Sequence, residues 1–472
     1  MYIGKKLAQV SIATSCAYLT QKTADNLFVL GKKEEEPQNT SMLLWGNGYY
    51  QARPDFKKQF SNFTPKQIAA AKYKGENKVD EDNLPQFTDL KFTDMLAVGL
   101  SNDGKIYSFE NREILPYKDK SDASMFIKQG DKTYDLDNVL FNLQNLSFKG
   151  KAMRIGLTKN FVWSLDEEGN LYQMQLAKLK EDQFKGEWRK ITTINNLKDI
   201  STGFDHILML TKKGELFSMG DDTYGQCGIG EMGRLRGGPY AETRVSNPTK
   251  VKTLEDRTVD RIYSNGNHNM VILNTNELLG FGSNSFMQLG HSDQYIQSKN
   301  PALAFFEPVT FAGYLDTVKC NLQEVALGED FSIFVCKNRE TENTQLFGCG
   351  HNLFGQLGNG LIAHTSDFQF MDTLSDFTIP TADQKQVPVE VRQISCGKGH
   401  CMALMSLDIV MTWGMNDYGQ LGNKKRSFKE TPLIVSKLKN KNVEKIVAHH
   451  NNSYALVKDY NSGENKNKPQ NN

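Results

Sequence analysis

Along this chain, short apolar runs alternate with turn-forming residues. Ile207 to Leu210, Leu216 to Met219 and Met402 to Met405 are too short for helices and are bounded by Gly, Asn, Asp or Lys. Apolar runs of this length between turn signals predict buried β-strands. Asn102-Asp-Gly104, Glu168-Gly169 and Lys213-Gly214 supply residues that tolerate the positive φ of tight hairpins, and Asn276 can play the same part. The recurring unit is an apolar stretch, a turn and a second apolar stretch.

In four units the second stretch runs into one phrase. The copies are Met219-Gly-Asp-Asp-Thr-Tyr-Gly-Gln-Cys-Gly228, Phe281-Gly-Ser-Asn-Ser-Phe-Met-Gln-Leu-Gly290, Cys349-Gly-His-Asn-Leu-Phe-Gly-Gln-Leu-Gly358 and Trp413-Gly-Met-Asn-Asp-Tyr-Gly-Gln-Leu-Gly422. His206, His268 and His400 stand at one place ahead of three of them, and Gly328 to Phe347 carries the same pattern with a longer turn. Leu96 to Phe109 and Phe161 to Met174 are worn copies. A seventh is split: Ile446 to Val457 is a first half, and Met42 to Tyr50 is a second half near the other end. Anchored on the place of Gly220, the units fall at 46, 110, 175, 220, 282, 350 and 414, spaced by 64, 65, 45, 62, 68 and 64 residues.

A long, fairly even period means a repeat architecture. A lone sheet exposes two faces and two edges, whereas radial stacking buries the faces and leaves short protected edges. A copy shared between the chain ends is what a closed ring requires. The expectation is an all-β fold, a seven-bladed β-propeller over residues 42–458 closed by pairing N-terminal and C-terminal strands. The Gly-Gln-Leu-Gly segments are expected to be tight turns where one blade's backbone packs close to the next, with Gly used because a Cβ would clash or φ is positive.

The phrase Trp/Phe-Gly-x-Asn-x-x-Gly-Gln-Leu-Gly, with Gly-x-x-His ahead of it, resembles the regulator of chromosome condensation repeat family. The resemblance covers about residues 42–458 and implies a seven-bladed propeller closed by its ends. It also implies two kinds of function: a protein-interaction scaffold, including mitochondrial members that act in organelle assembly and translation, or guanine-nucleotide exchange on a small GTPase. The founder's chromatin binding through a basic N-terminal extension finds a poor match here, because residues 1–24 carry only Lys5, Lys6 and Lys22.

Several segments depart from the repeat. Residues 1–24 lack acids, are Ser/Thr-rich and place Ile3, Leu7, Val10 and Ala17 at roughly helical spacing. That fits a mitochondrial presequence; it is also compatible with an ordinary extension, a weak secretory signal or a membrane-touching helix. The expected location is mitochondrial, with cytoplasmic or nuclear as the alternative. Residues 32–41 read as a linker, completing an N-terminal extension over 1–41, and 459–472 as a disordered polar tail. Thr64-Pro65 and the residues after it predict a short capped helix inserted on the first blade. Further insertions span 231–247 and 359–385. The first holds Arg234, Arg236, Tyr240 and Arg244, the preferred surface for a protein contact, since binding residues sit disproportionately on loops of a rigid scaffold.

Composition narrows the chemistry. A net charge of +1, from 56 basic and 55 acidic residues, gives no electrostatic reason to expect nucleic acid. Seven scattered cysteines suggest reduced thiols. Cys396, His400 and Cys401, with Cys349 and His351, lack the paired spacing of a zinc site, and His449-His450 meets the same objection. The recurring histidines are expected to be structural. No Gly-x-Ser-x-Gly, His-Glu-x-x-His, P-loop or dinucleotide fingerprint occurs, and no apolar run is long enough to span a bilayer. The expectation is a non-enzymatic scaffold without a cofactor or metal, holding a protein partner such as a small GTPase or a large organellar complex.

Overall fold

The computed structural model describes residues 40–47, 61–67, 85, 87–93, 97–116, 126–129, 132–176, 186–229, 244–290, 302–308, 320–375, 378–380, 386–423, 425–439 and 441–458. Seven antiparallel sheets form its blades. Blade 1 has five strands, in spatial order Phe87–Phe92, Ala97–Ser101, Ile106–Pro116, Lys132–Asn145 and Phe126–Gln129. Blades 2 to 6 have four each, in chain order from innermost strands Ala152–Leu157, Leu197–Thr202, Val259–Asn265, Cys320–Leu327 and Val391–Cys396. Blade 7 joins Asn442–His449 and Asn452–Lys458 to Thr40–Asn47 and Ser61–Gln67. The closing register runs unbroken from Thr40 opposite Lys458 to Gly46 opposite Asn452. Each innermost strand touches the next, and Asn442–His449 touches Phe87–Phe92, so the ring is complete.

The second strands are buried along their whole length where neighbouring blades cover both faces, as in His206–Thr211, His268–Leu273 and His400–Met405. This is why their sequences are continuous apolar runs and not alternations. Each interface from blades 1/2 to 6/7 holds its own apolar cluster, such as Trp163, Leu165 and Ile200 with Ile207 and Met209 between blades 2 and 3. The hairpins turn on Gly104, Gly169, Gly214 and Asn276, all at positive φ.

Every innermost strand carries a bulge at the same place, just before Asp89, Arg154, Asp199, Arg261, Glu324, Gln393 and Lys445. A bulge re-aims a side chain, and these residues reach across to neighbouring blades. Arg154 Nε lies 3.1 Å from Asp199 Oδ1, Arg261 donates to the Gln323 carbonyl, and Glu324 Oε2 accepts from the Ile394 amide at 3.2 Å. Gln393 pairs with both backbone groups of Ile446, and Lys445 donates to the Thr88 carbonyl and lies 3.9 Å from Asp89. Signs alternate round most of this hub, which opposes like-charge repulsion at close quarters.

Three expectations about insertions need correction. Thr64-Pro65, the expected helix start, lies in the edge strand Ser61–Gln67 of blade 7, and the rest of that expected helix, after Gln67, lies outside the described residues; the strand's pairing with Thr40–Asn47 shifts register across residues 63–65, and an edge bulge is where a sheet admits proline. The segment 231–247 is not all loop, since Arg244–Lys250 is the outermost strand of blade 3. Within 359–385, Thr365–Phe370 is the outermost strand of blade 5, and Thr378–Pro380 pairs with Gln386–Pro388 in a small ribbon. Residues 1–39 and 459–472, with the expected presequence, linker and tail, lie outside the described residues.

Candidate partner-binding surfaces

The turn phrase is a self-bonded knot. Asp222, Asn284, Asn352 and Asn416 accept the amide five residues on, from Cys227, Leu289, Leu357 and Leu421, at 2.7–2.9 Å. Gln226, Gln288, Gln356 and Gln420 accept the amide two residues back, also at 2.7–2.9 Å. Both patterns require the left-handed residue between them, Gly225, Met287, Gly355 or Gly419, all at φ 68–75°. Gly355 also has no room for a side chain, because a Cβ would lie 2.3 Å from Glu430 Cα.

The knot bonds the next blade through the Gln backbone carbonyl. Asn269 Nδ2 donates to Gln226 O at 2.8 Å, Ser332 Oγ to Gln288 O at 2.7 Å, and Ser453 Oγ to Gln420 O at 2.7 Å. Cys401 Sγ and Trp413 Nε1 reach Gln356 O at 3.6 and 2.8 Å, and Trp45 Nε1 reaches Gln420 O at 2.9 Å. The recurring histidines complete the chain of bonds: Nε2 of His206, His268 and His400 meets Asn269 Oδ1, Ser332 Oγ and Ser453 Oγ at 2.7, 3.1 and 2.9 Å. Since each serine hydroxyl donates to a carbonyl, the histidine must donate to the serine. Burial keeps the rings neutral, lowering His268 and His400 to about 3. These histidines are structural. Blade 5 carries Phe331 in place of the histidine, and the facing residue of blade 6 is Cys401 in the same apolar cluster.

Blades 1 and 2 lack the phrase, and their successors show it. The position filled by Asn269, Ser332, Cys401 and Ser453 is Val162 in blade 2 and Ile207 in blade 3, and in blade 1, after the phrase-less half unit of blade 7, it is Ala97. The side chain is apolar wherever the preceding blade offers no Gln carbonyl. Between blades 2 and 3 the vacated space is a cleft of about 240 Å³. Trp163, Ile207, Met219 and Gly220 line it, and Arg189, Lys190 and Arg244 stand among its polar residues.

Of the predicted contact residues, Arg244 is at this cleft, its Nη1 2.7 Å from Asp205 Oδ2. Arg234, Arg236 and Tyr240 lie outside the described residues. Sequence reasoning missed a second surface on and just after the turn phrases of blades 4 to 6. There Phe286, Leu353, Leu361, Ile362 and Phe428 are exposed. Ring contacts run from Phe286 to His351, on to Phe354 and then to Phe428, at centroid distances of 5.0, 6.0 and 6.4 Å. Part of the signal was present in Leu353, which stands where the other phrases carry Thr223, Ser285 and Asp417, whereas Phe286 shares an aromatic position with Tyr224, Phe354 and Tyr418.

Cys396 and Cys401 come together across a strand pair, with Sγ atoms 2.9 Å apart, both buried and free. His400 points to blade 7 instead, and among the described residues no three His, Cys, Asp or Glu side chains gather as a metal site. No helix among them is long and apolar enough to cross a membrane.

The comparisons agree with this geometry. Models of the "Regulator of chromosome condensation (RCC1) repeat" match residues 213–272, 344–404 and 409–456, and a second model of that description matches 197–226 and 391–420. Protein RCC2 of Homo sapiens is 27% identical over 250 residues, 49% of this chain and 41% of that protein. E3 ubiquitin-protein ligase HERC2 of Mus musculus is 21% identical over 339 residues, 61% of this chain and 6% of that one. The chain therefore matches less than half the length of these relatives. Among solved structures, human WBSCR16 superposes with a TM-score of 0.62 at 15% identity, covering 90% of this chain and 100% of that one. Prp20p of Saccharomyces cerevisiae gives 0.61 at 18% identity, with 90% and 93% covered. Repeat signature, blade architecture and closure by the ends coincide, and the chain belongs to the regulator of chromosome condensation repeat family of β-propellers.

Proposed function

We propose that this chain is a non-enzymatic protein-interaction scaffold whose contact surface is the apolar strip on and just after the turn phrases of blades 4 to 6. The observation that carries this reading is the strip itself: Phe286, Leu361 and Ile362, at 38%, 50% and 50% exposure, sit on or just after turns held by partly buried hydrogen bonds. Contiguous exposed apolar side chains on a rigid frame mark interaction sites, and a frame that does not reorganise loses little entropy on binding. The test is affinity capture with mass spectrometry, comparing wild type with Phe286→Ser/Ile362→Ser. One stoichiometric partner should be lost from the variant while its melting temperature is kept. Identical partner sets from both proteins would sink the reading.

Guanine-nucleotide exchange on a small GTPase is the second reading, supported by the likeness to Prp20p, whose structure was reported with its binding to Gsp1p and histones. Exchange requires the ring to prefer the empty GTPase over the loaded one. Nucleotide-release assays on candidate GTPases decide it, and no acceleration by the purified chain removes it. The mitochondrial location belongs to the scaffold reading and rests on the presequence-like residues 1–24, with a large organellar complex as the partner. Recovery of the chain from the cytosol with Met1 intact would remove that part alone.

A further inference from the structure

We propose that the cleft between blades 2 and 3 binds an acidic peptide segment of a protein partner, seating one aliphatic side chain where other blades seat the Leu of a turn phrase. The inference shares the interaction reading above but uses a different surface, so the two can fail separately.

The ring itself supplies the template. At phrase-bearing interfaces the Gln-Leu pair of one blade is buried against the next, as with Gln288-Leu289, Gln356-Leu357 and Gln420-Leu421. The residues that meet Gln288 in blade 5 are Ser332, Cys349 and Gly350, and Leu289 shares an apolar cluster with Phe334, Phe347 and Cys349 of that blade; Gly350 presents no Cβ, and one placed there would lie 3.1 Å from Gln288 Cα. Their counterparts in blade 3 are Ile207, Met219 and Gly220, and all three line the cleft. A foreign backbone can therefore approach Gly220 as closely as the phrase approaches Gly350. Ile207 offers it an apolar seat in place of a hydrogen-bond donor.

Size and charge select the ligand. At about 240 Å³ the cleft falls below the ~300–1,000 Å³ of typical small-molecule pockets, which suits an inserted side chain better than a cofactor. Arg189, Lys190 and Arg244 face a single lining carboxylate, Asp205, and that one is already paired with Arg244. Arg189 has no ion-pair partner among the described residues. This excess of positive charge complements carboxylates flanking the anchor and would steer their approach.

The experiment uses the full chain and a fluorescein-labelled peptide, Glu-Asp-Gly-Gln-Leu-Gly-Asp-Glu with blocked ends, read by fluorescence anisotropy at two salt concentrations. Saturable, salt-sensitive binding is expected. The double variant Arg189→Glu/Lys190→Glu changes two exposed residues, so the fold should persist with an unchanged melting temperature. It should weaken binding by about tenfold or more, as should Ser in place of Leu in the peptide. Absence of saturable binding, or equal binding by the double variant or the Ser peptide, overturns the proposal. The Phe286→Ser/Ile362→Ser protein should bind the peptide as wild type does; loss there as well would mean that the peptide reads the strip and not the cleft.

Discussion

Two arcs of one ring solve the same packing problem differently. From blade 3 through blade 7, each blade hands its neighbour a Gln carbonyl, and the neighbour answers with a serine, asparagine, cysteine or tryptophan donor. From blade 7 through blade 3 by way of blades 1 and 2, no such carbonyl bond occurs among the described residues, and the buried apolar Ala97, Val162 and Ile207 hold the place, the last two within the apolar clusters of their interfaces. Hydrogen bonds fix register and exclude alternatives, because a buried donor without its acceptor is costly. Apolar contact tolerates a gap, and a gap is what blades 2 and 3 show. The comparison teaches that a repeat can lose its binding knot without losing its blade, provided the residue that knot served becomes apolar.

The largest test of the contrast is truncation on either side. Trp413 is fully buried and donates to Gln356 O, whereas its counterpart Met219 borders the cleft. Trp413→Ala should cost about 3–5 kcal/mol, and Met219→Ala clearly less, as measured by chemical denaturation. Equal costs would mean that the arcs do not differ in packing.

Next comes the donor itself. Ser332→Ala strips Gln288 O of a donor and His268 Nε2 of its acceptor, and should cost about 1–3 kcal/mol. Ser332→Cys should lose less, since blade 6 already uses Cys401 in that place. Thermal melts of the two variants give the order, and a reversed order would contradict the hydrogen-bond account.

A third prediction concerns blade 3, the end of the bonded arc. Its phrase carries Asp222 where the others carry Asn, and burial pushes this carboxyl up to about 6 against an ordinary 3.8. A group raised in the fold favours folding below its unfolded value, and that advantage is lost as pH rises through about 6. The buried carboxylate should therefore cost up to about 3 kcal/mol at pH 7.5. Asp222→Asn should stabilise the protein at pH 7.5 by about 1–3 kcal/mol, and the gain should fade toward pH 4. Melting temperatures across that range check the sign; a gain independent of pH would point to another cause.

The smallest effect belongs to the ion pair at the cleft. Arg244→Ala removes a partly exposed bond to Asp205 and should change stability by no more than about 1 kcal/mol, leaving Arg244 available for binding rather than required for folding. A larger loss would make it a structural residue of blade 3.

The blades were legible because the second and third strands are buried on both faces and spell continuous apolar runs, and because Asn102-Asp-Gly104 and its counterparts announce the turns between them. The outer strands were not. Arg244–Lys250 is only partly covered, so no alternation betrays it, and Thr64-Pro65 presents the same residues a helix start would use. Among the site residues, the loop reading found Arg244 through its surroundings. The cleft stayed hidden because its signature is relational: Ile207 is informative only once it is known to face a blade that lacks a phrase, and that pairing joins residues distant in the chain.

The shared seventh blade sets the order in which this chain can mature. Thr40–Asn47 leaves the ribosome about 400 residues before Asn452–Lys458, the strand that zips against it. Until Asn452–Lys458 has been made, six blades must wait as an open arc with two raw edges, and a chain without that strand would have no circle to close.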